Sequence, residues 1–247
     1  MSLSARAAPV RLARLVELLL FPSFCRLCRA PLEHPGERVV CEACLLSLAA
    51  YEGPFCACCG RTLQDAGDAH LCARCLTEPP AFSRHRSCGL YGGTLKEVIL
   101  LFKYRKYAPL SRPLARFADA ALGGDTGFWA GVDALVPVPL HPARRRDRGF
   151  NQSRLLARDL GRLRRLEVLD RVLLKVRNAP PQAGLRAGDR ERNVIRTYAV
   201  RRPERVRGRT LVLVDDVATT GATLRECARV LKAAGAEDVR AITLAQA

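Results

Sequence analysis

Two adjacent carboxylates, Asp215 and Asp216, follow the apolar run Leu211–Val214 and precede the small-residue stretch Ala218-Thr219-Thr220-Gly221-Ala222-Thr223. The run reads as a strand buried on both faces, as in a parallel sheet, with the carboxylates where it ends. Apolar periodicity from about Thr223 to Ala234 predicts a helix directly after the loop. A strand, a tight loop and a helix N-terminus make an anion site: unpaired amide N–H groups point out of the first turn, and the helix dipole favours negative charge. Gly221 lets a phosphate approach the backbone closely. A bare phosphate would be repelled by two neighbouring carboxylates. A ligand carrying both a phosphate and vicinal hydroxyls would not, because carboxylates accept hydrogen bonds from sugar hydroxyls.

Cysteine supplies the second chemistry. Cys25-x2-Cys28-x12-Cys41-x2-Cys44 recurs 31 positions later as Cys56-x2-Cys59-x12-Cys72-x2-Cys75, and Phe24/Phe55, Leu32/Leu63 and Leu45/Leu76 recur with it. A two-residue spacing aims two thiolates at one ion, and two such knuckles complete a tetrahedral four-sulfur site. The repeat predicts tandem zinc ribbons, each with one structural Zn2+. Disulfides and interleaved pairing of the four knuckles are the alternatives. Closed four-cysteine sites leave no open position for catalysis, and the segment is too poor in apolar residues to fold without metal. Cys58 is spare in this scheme, Cys88 and Cys227 read as small core residues, and His70 reads as a surface histidine before a knuckle.

Arginine dominates two further stretches. Arg144, Arg145, Arg146 and Arg148 crowd a loop after the expected strand Val132–Val138, the edge of an open α/β sheet at which ligands bind. Guanidinium forks there suit a diphosphate, and Asn151 or Ser153 can cap the helix that follows. Residues 177–193, between expected strands at Val172–Val176 and Thr197–Val200, read as a long lid in which Gln182, Arg186, Arg190 and Asn193 close over the ligand.

The elements that must position these groups are legible from periodicity. Phe82–Tyr91 reads as a strand. Thr94–Tyr104 reads as a helix with Leu95, Val98, Ile99 and Phe102 on one face and Lys103 at its end. Ser111–Leu122 reads as a second amphipathic helix. The expected organisation is an N-terminal amphipathic helix (1–20), a double zinc ribbon (21–80) and an α/β domain (81–247). The 247 residues suffice for one good core and a satellite. No run is long and apolar enough to span a bilayer, residues 10–21 are broken by Arg11, Arg14 and Glu17, and a cytoplasmic setting follows. The formal charge is +17; eight thiolates on two Zn2+ bring it to about +13, which calls for an anionic partner or a polyphosphate substrate. Arginine outnumbers lysine 36 to 5 and is spread along the chain, and aromatic content of 6% leaves few base-stacking platforms beyond Phe82, Tyr91, Phe102, Tyr104 and Tyr107.

The Asp-Asp-x-x-Thr-Thr-Gly loop resembles the phosphoribosyl-diphosphate (PRPP) motif of type I phosphoribosyltransferases. That resemblance implies that Asp215 and Asp216 hold the ribose 2- and 3-hydroxyls while Thr219 to Thr223 hold the 5-phosphate. Phe102-Lys103-Tyr104, Pro137-Val-Pro-Leu140, Arg148-Gly-Phe-Asn-Gln152, the Gln182…Arg186…Asn193 loop and the cysteine-rich start, in that order, resemble the ComF family of competence proteins, from about residue 20 onward. The family implies a type I phosphoribosyltransferase-like parallel sheet behind a double zinc ribbon. It also implies handling of single-stranded DNA in natural transformation, alongside the ComF helicase. By the same resemblance Mg2+ accompanies PRPP, and Asp215, Asp216, Arg145, Arg148 and Lys103 are the catalytic candidates. Oxopurine phosphoribosyltransferases place an Asp base where this chain has Thr219, which argues against a 6-oxopurine acceptor. Two functions follow: a Mg2+-dependent phosphoribosyltransferase, or a non-catalytic DNA-binding adaptor that keeps the PRPP site as a sensor or relic.

Overall fold

The computed structural model describes residues 23–32, 39–63, 71–142, 146, 149–177 and 197–247. Two compact units divide the chain, Met1–Leu48 and Ala49–Ala247.

In the first unit Cys25, Cys28, Cys41 and Cys44 converge, and helix α1 (Glu42–Leu46) opens on the second knuckle with Cys41 as its N-cap. A bridge pairs Phe24 with Pro31 across the first knuckle, and Leu32 and Val40 are buried. The same construction recurs 31 residues later. Phe55 bridges Thr62, Cys72 caps helix α2 (Ala73–Thr77), and Leu76 N–H donates to the Cys72 carbonyl as Leu45 N–H does to that of Cys41. Local pairing of the knuckles, rather than the interleaved alternative, is what the chain adopts.

The second unit is built on a five-stranded parallel sheet in the order β1 (Arg84–Leu90), β7 (Asp238–Gln246), β6 (Thr210–Ala218), β2 (Ala134–Pro137), β3 (Glu167–Val168). Central strands β2 and β6 carry the apolar runs, and Ala134–Val136 and Leu211–Val214 are almost fully buried, as strands covered on both faces require. Helices α3 (Gly93–Tyr104), α4 (Ser111–Ala121), α5 (Thr126–Trp129), α6 (Gln152–Arg164) and α7 (Ala222–Ala233) lie in the connections. Helix α3 buries Leu95, Val98, Ile99 and Phe102, the face set by its periodicity. A Cβ on Gly161 of α6 would meet the Leu166 carbonyl oxygen at 2.9 Å, so glycine permits the close helix–strand approach. From β2 the chain leaves toward β3, and from β6 it leaves in the other direction toward β7. The crevice between their carboxyl ends is therefore the topological switch point.

Strand β6 runs further than expected. Pairing with β7 continues through Ala218↔Gln246, so Asp215 and Asp216 lie inside the hydrogen-bonded strand, Asp215 opposite Thr243. Strands β4 (Leu173–Lys175) and β5 (Tyr198–Val200) pair antiparallel, and Val176 N–H donates to the Thr197 carbonyl, closing the base of the segment expected to be a lid. Gln182, Arg186, Arg190 and Asn193 themselves lie outside the described residues, as do His70, Arg145 and Arg148.

The second cysteine cluster is built into this unit. His85 N–H donates to the Cys58 carbonyl (2.7 Å), and His85 Nδ1 donates to that of Cys59 (2.8 Å). A carbonyl only accepts, so Nδ1 carries the proton and Nε2 accepts from the Thr243 hydroxyl at 2.9 Å. Burial holds this imidazole neutral, its pKa lowered to about 4. Arg86 bonds the Ala57 carbonyl (2.9 Å) and lies over the Phe55 ring. Gly60 turns at φ +65°, where a Cβ would meet the His85 carbonyl oxygen at 2.6 Å. Cys58 reaches the Phe82 carbonyl and packs on the main core, while Cys88 and Cys227 are buried core residues. Replacing Cys56 by Ala is expected to cost one of the two bound zinc ions, read by atomic emission, and to lower the melting temperature of the 49–247 unit. The knuckle carbonyls that satisfy His85 and Arg86 would no longer be held in place.

Candidate functional site: a carboxylate pair beside an anion-binding helix start

Asp215 and Asp216 leave β6 in different directions, as strand alternation dictates, and each meets its own partner. Ser153 Oγ donates to Asp215 Oδ1 at 2.8 Å, and the Asp216 amide donates to the same oxygen at 2.9 Å. Lys103 Nζ lies 2.9 Å from Asp216 Oδ1, and both side chains are largely buried. Burial, and next the neighbouring Asp216 charge, push the Asp215 pKa up to about 7, against the hydroxyl, lysine and amide that favour its ionised form.

The partners are set by a second layer. Asn151 caps α6, its Oδ1 accepting from Ser153 N–H and its Nδ2 donating to the Val138 carbonyl. That leaves the Ser153 hydroxyl for Asp215 rather than for capping. Gln152 is 1% exposed and donates from Nε2 to the Lys103 carbonyl (3.4 Å), and Phe150 packs on Phe102 with centroids 5.6 Å apart. The stretch after the arginine loop thus fixes the end of α3 and so the reach of Lys103. Gln152 and Ser153 were not among the expected site residues. Their signal was two polar residues on the face of α6 that otherwise carries Leu156, Ala157 and Leu160.

After Ala218 the chain turns through Thr219 and Thr220 to Gly221, at φ +73°, which is the N-cap of α7. The left-handed turn explains the glycine, and a Cβ there would meet only open space, so a ligand has room beside the backbone at Gly221. Thr220 Oγ1 accepts weakly from Ala222 N–H (3.4 Å). Thr219 is exposed, and Thr220, Gly221 and Thr223 are half-buried. The structure therefore brings Lys103, Asp215, Asp216 and the 218–223 loop to one sheet edge. Arg146 is exposed beyond β2, while Arg144, Arg145 and Arg148 lie outside the described residues.

The two cysteine clusters fit zinc. In each, four Sγ atoms lie within 4.8 Å of one another, with contacts of 3.5 Å (Cys28–Cys41), 3.9 Å (Cys25–Cys44) and 3.6 Å (Cys59–Cys72). Four sulfurs at about 2.3 Å from a tetrahedral Zn2+ stand about 3.8 Å apart. Amides of Leu27 and Cys41 point at Cys25 Sγ, and those of Cys59 and Cys72 at Cys56 Sγ, stabilising thiolate in both knuckles. Burial raises the Cys25 and Cys56 pKa values, but these amides outweigh it and bring them to about 6 and about 7.

A phosphoribosyl transferase domain matches residues 163–247, and a double zinc ribbon domain matches residues 16–76. Competence protein F of Haemophilus influenzae is 33% identical over 174 residues, 69% of this chain and 76% of that protein. DNA utilization protein YhgH of Escherichia coli is 32% identical over 225 residues, 90% of this chain and 96% of that protein. Competence protein ComFC of Bacillus subtilis is 30% identical over 169 residues, 65% of this chain and 63% of that protein.

Two expectations test the carboxylate pair. Lys103→Met leaves a largely buried carboxylate unpaired and should destabilise the protein by about 3 kcal/mol, the low end for a broken buried pair. Asp216→Asn in the same chain should recover part of that loss in urea unfolding. For Asp215 the sign is set by its raised pKa: the folded state keeps this proton up to about pH 7, whereas the unfolded chain releases it near pH 4. The stability that protonated Asp215 contributes is present at low pH and lost as pH rises toward 7. The melting temperature of Asp215→Asn minus that of wild type should therefore be larger at pH 8 than at pH 5.5.

With a double zinc ribbon matched near the start, a phosphoribosyltransferase domain matched at the end, and relatives at 32–33% identity covered over most of their length, the chain belongs to the ComF family.

Proposed function

We propose that the protein binds PRPP with Mg2+ at the end of β6 and works on single-stranded DNA during DNA uptake, in the cytoplasm. The observation that carries this reading is the carboxylate pair, held by Ser153 and Lys103, beside the open amide turn at Gly221. In this reading the amides of 219–223 and the hydroxyls of Thr219, Thr220 and Thr223 take the 5-phosphate, while Asp215 and Asp216 accept hydrogen bonds from the ribose hydroxyls. Carboxylate oxygens are the hard donors that Mg2+ prefers, so Asp215 and Asp216 fit the ion that accompanies a diphosphate. When bound, the ion neutralises charge on the leaving pyrophosphate.

The chain's own contribution is electrostatic and positional. As the anomeric carbon gains oxocarbenium character, Asp215 and Asp216 orient the sugar and favour its positive charge. Arg145 and Arg148 of the loop after β2, with Lys103, take up the negative charge that builds on the departing pyrophosphate. Gln182, Arg186, Arg190 and Asn193 close over the ligand and exclude water that would hydrolyse the donor. Thr219 is exposed and carries no carboxylate, which speaks against base catalysis on a 6-oxopurine acceptor from this position. That same feature favours a second reading, in which PRPP is sensed rather than consumed and the protein acts as an adaptor on single-stranded DNA beside a helicase.

Calorimetric titration of the zinc-loaded protein with PRPP tests the site. Mg2+-dependent binding, lost in Asp215→Asn/Asp216→Asn with the fold intact, is the expected result. Unchanged binding in the double variant would remove these carboxylates from the site. Binding without turnover against any nucleobase or nucleic-acid acceptor would leave the sensor reading.

A further inference from the structure

Between the second cysteine cluster and the phosphate loop lies a shallow open cleft. Three of its lining residues are arginines from three different elements: Arg61 follows the Cys56–Cys59 knuckle, Arg74 sits in α2, and Arg225 lies in the first turn of α7. Its far wall is the Thr219–Gly221 turn, and no carboxylate is among the described residues that line it. Arg225 is fixed in place: it donates to the Glu78 carbonyl at 2.8 Å and reaches Cys75 Sγ at 3.9 Å. His85 in the floor is tied to Cys59 and Thr243 and holds the ribbon side of the cleft against the sheet. Arg61 is exposed and Arg74 half-buried.

We propose that this cleft holds the sugar-phosphate backbone of a single-stranded nucleic acid, with Arg61, Arg74 and Arg225 on its phosphates. The proposal rests on the reading that single-stranded DNA is what the protein handles, and it assigns the strand a place. Guanidiniums along an open cleft with no carboxylate among its described lining residues suit an extended polyanion lying on the surface, rather than a small anion that must be enclosed. In the function proposed above the donor's diphosphate is assigned to other arginines, those expected after β2. Phe82, the aromatic side chain lining the cleft, is 3% exposed and packed in the core, so bases find no stacking platform there. Binding is therefore through phosphates, insensitive to sequence and strongly dependent on salt. The cleft ends at the Thr219–Gly221 turn, so a strand lying in it runs past the sugar-phosphate site.

The test is fluorescence anisotropy of a labelled oligo-dT with the zinc-loaded full chain over a range of salt concentrations. Each phosphate contact on a single strand contributes about 0.7 to the slope of log affinity against log salt, so Arg61→Ala/Arg74→Ala should flatten that slope by about 1.4. Oligo-dA should behave like oligo-dT. Zinc content and PRPP affinity should stay at wild-type values, and Arg61→Lys/Arg74→Lys should restore the slope. Arg112→Ala/Arg116→Ala removes the same charge from exposed positions on α4 and should leave the slope unchanged. A slope unaltered in the cleft variant, or flattened equally in the α4 variant, overturns the proposal. Absence of oligonucleotide binding by wild type would overturn both the DNA reading and the cleft. Loss of PRPP binding alone would strike the phosphoribosyl reading and leave the cleft standing.

Discussion

Two adjacent carboxylates in a strand buried on both faces repel each other and lose hydration, and the surrounding elements are arranged to offset that cost. Lys103 answers Asp216 from the end of α3, and Ser153 answers Asp215 from the start of α6. Neither would reach without the next layer: Gln152 holds the Lys103 carbonyl, Phe150 holds Phe102, and Asn151 caps α6 so that the Ser153 hydroxyl is left for the carboxylate. The end of helix α3, Phe150, Asn151 and the start of α6 thus converge on the end of β6. The residual strain shows in Asp215, whose proton is held to about pH 7. A cation or a hydroxyl-bearing ligand at that edge would meet carboxylates already oriented, next to the helix start at Gly221.

The second cysteine cluster adds a different constraint. In sequence the two ribbons are equivalent, and their local construction is the same down to the amide–sulfur contacts. Yet the second one supplies acceptors to His85 and Arg86 on β1, an anchor for Arg225 on α7, and one wall of a basic cleft. Metal binding in that ribbon is therefore coupled to the packing of the sheet edge, which is more than a tether between modules would need. The Gly60 turn, where any side chain would strike the His85 backbone, is the local mark of that coupling.

Much of this was legible in the chain. The 31-residue cysteine repeat pointed to two four-cysteine clusters and favoured local pairing while leaving the interleaved alternative open, and the structure shows the local one. The periodicity of Leu95, Val98, Ile99 and Phe102 predicted the buried face of α3, and the apolar run before Asp215 predicted the central strand. What escaped was long-range. That β6 continues to Ala218 depends on β7 running equally far, 28 residues later in the chain. The bonds of Ser153 to Asp215 and of Gln152 to Lys103 join positions 62 and 49 residues apart, and a place on the apolar face of α6 marks them as buried without saying which partners they meet. Of the aromatics considered for base stacking, Phe82 and Phe102 are core residues, whereas Tyr104 is 62% exposed. Composition cannot tell those fates apart.

The most direct test of the account is hydrogen–deuterium exchange of the zinc-loaded protein with and without Mg2+ and PRPP. The account predicts protection concentrated in the amides of 219–224 and around Asp215 and Asp216, and absent from the first ribbon. Protection elsewhere with the 219–224 amides unchanged would contradict it, because the carboxylates and the Gly221 turn would then serve some other ligand or none.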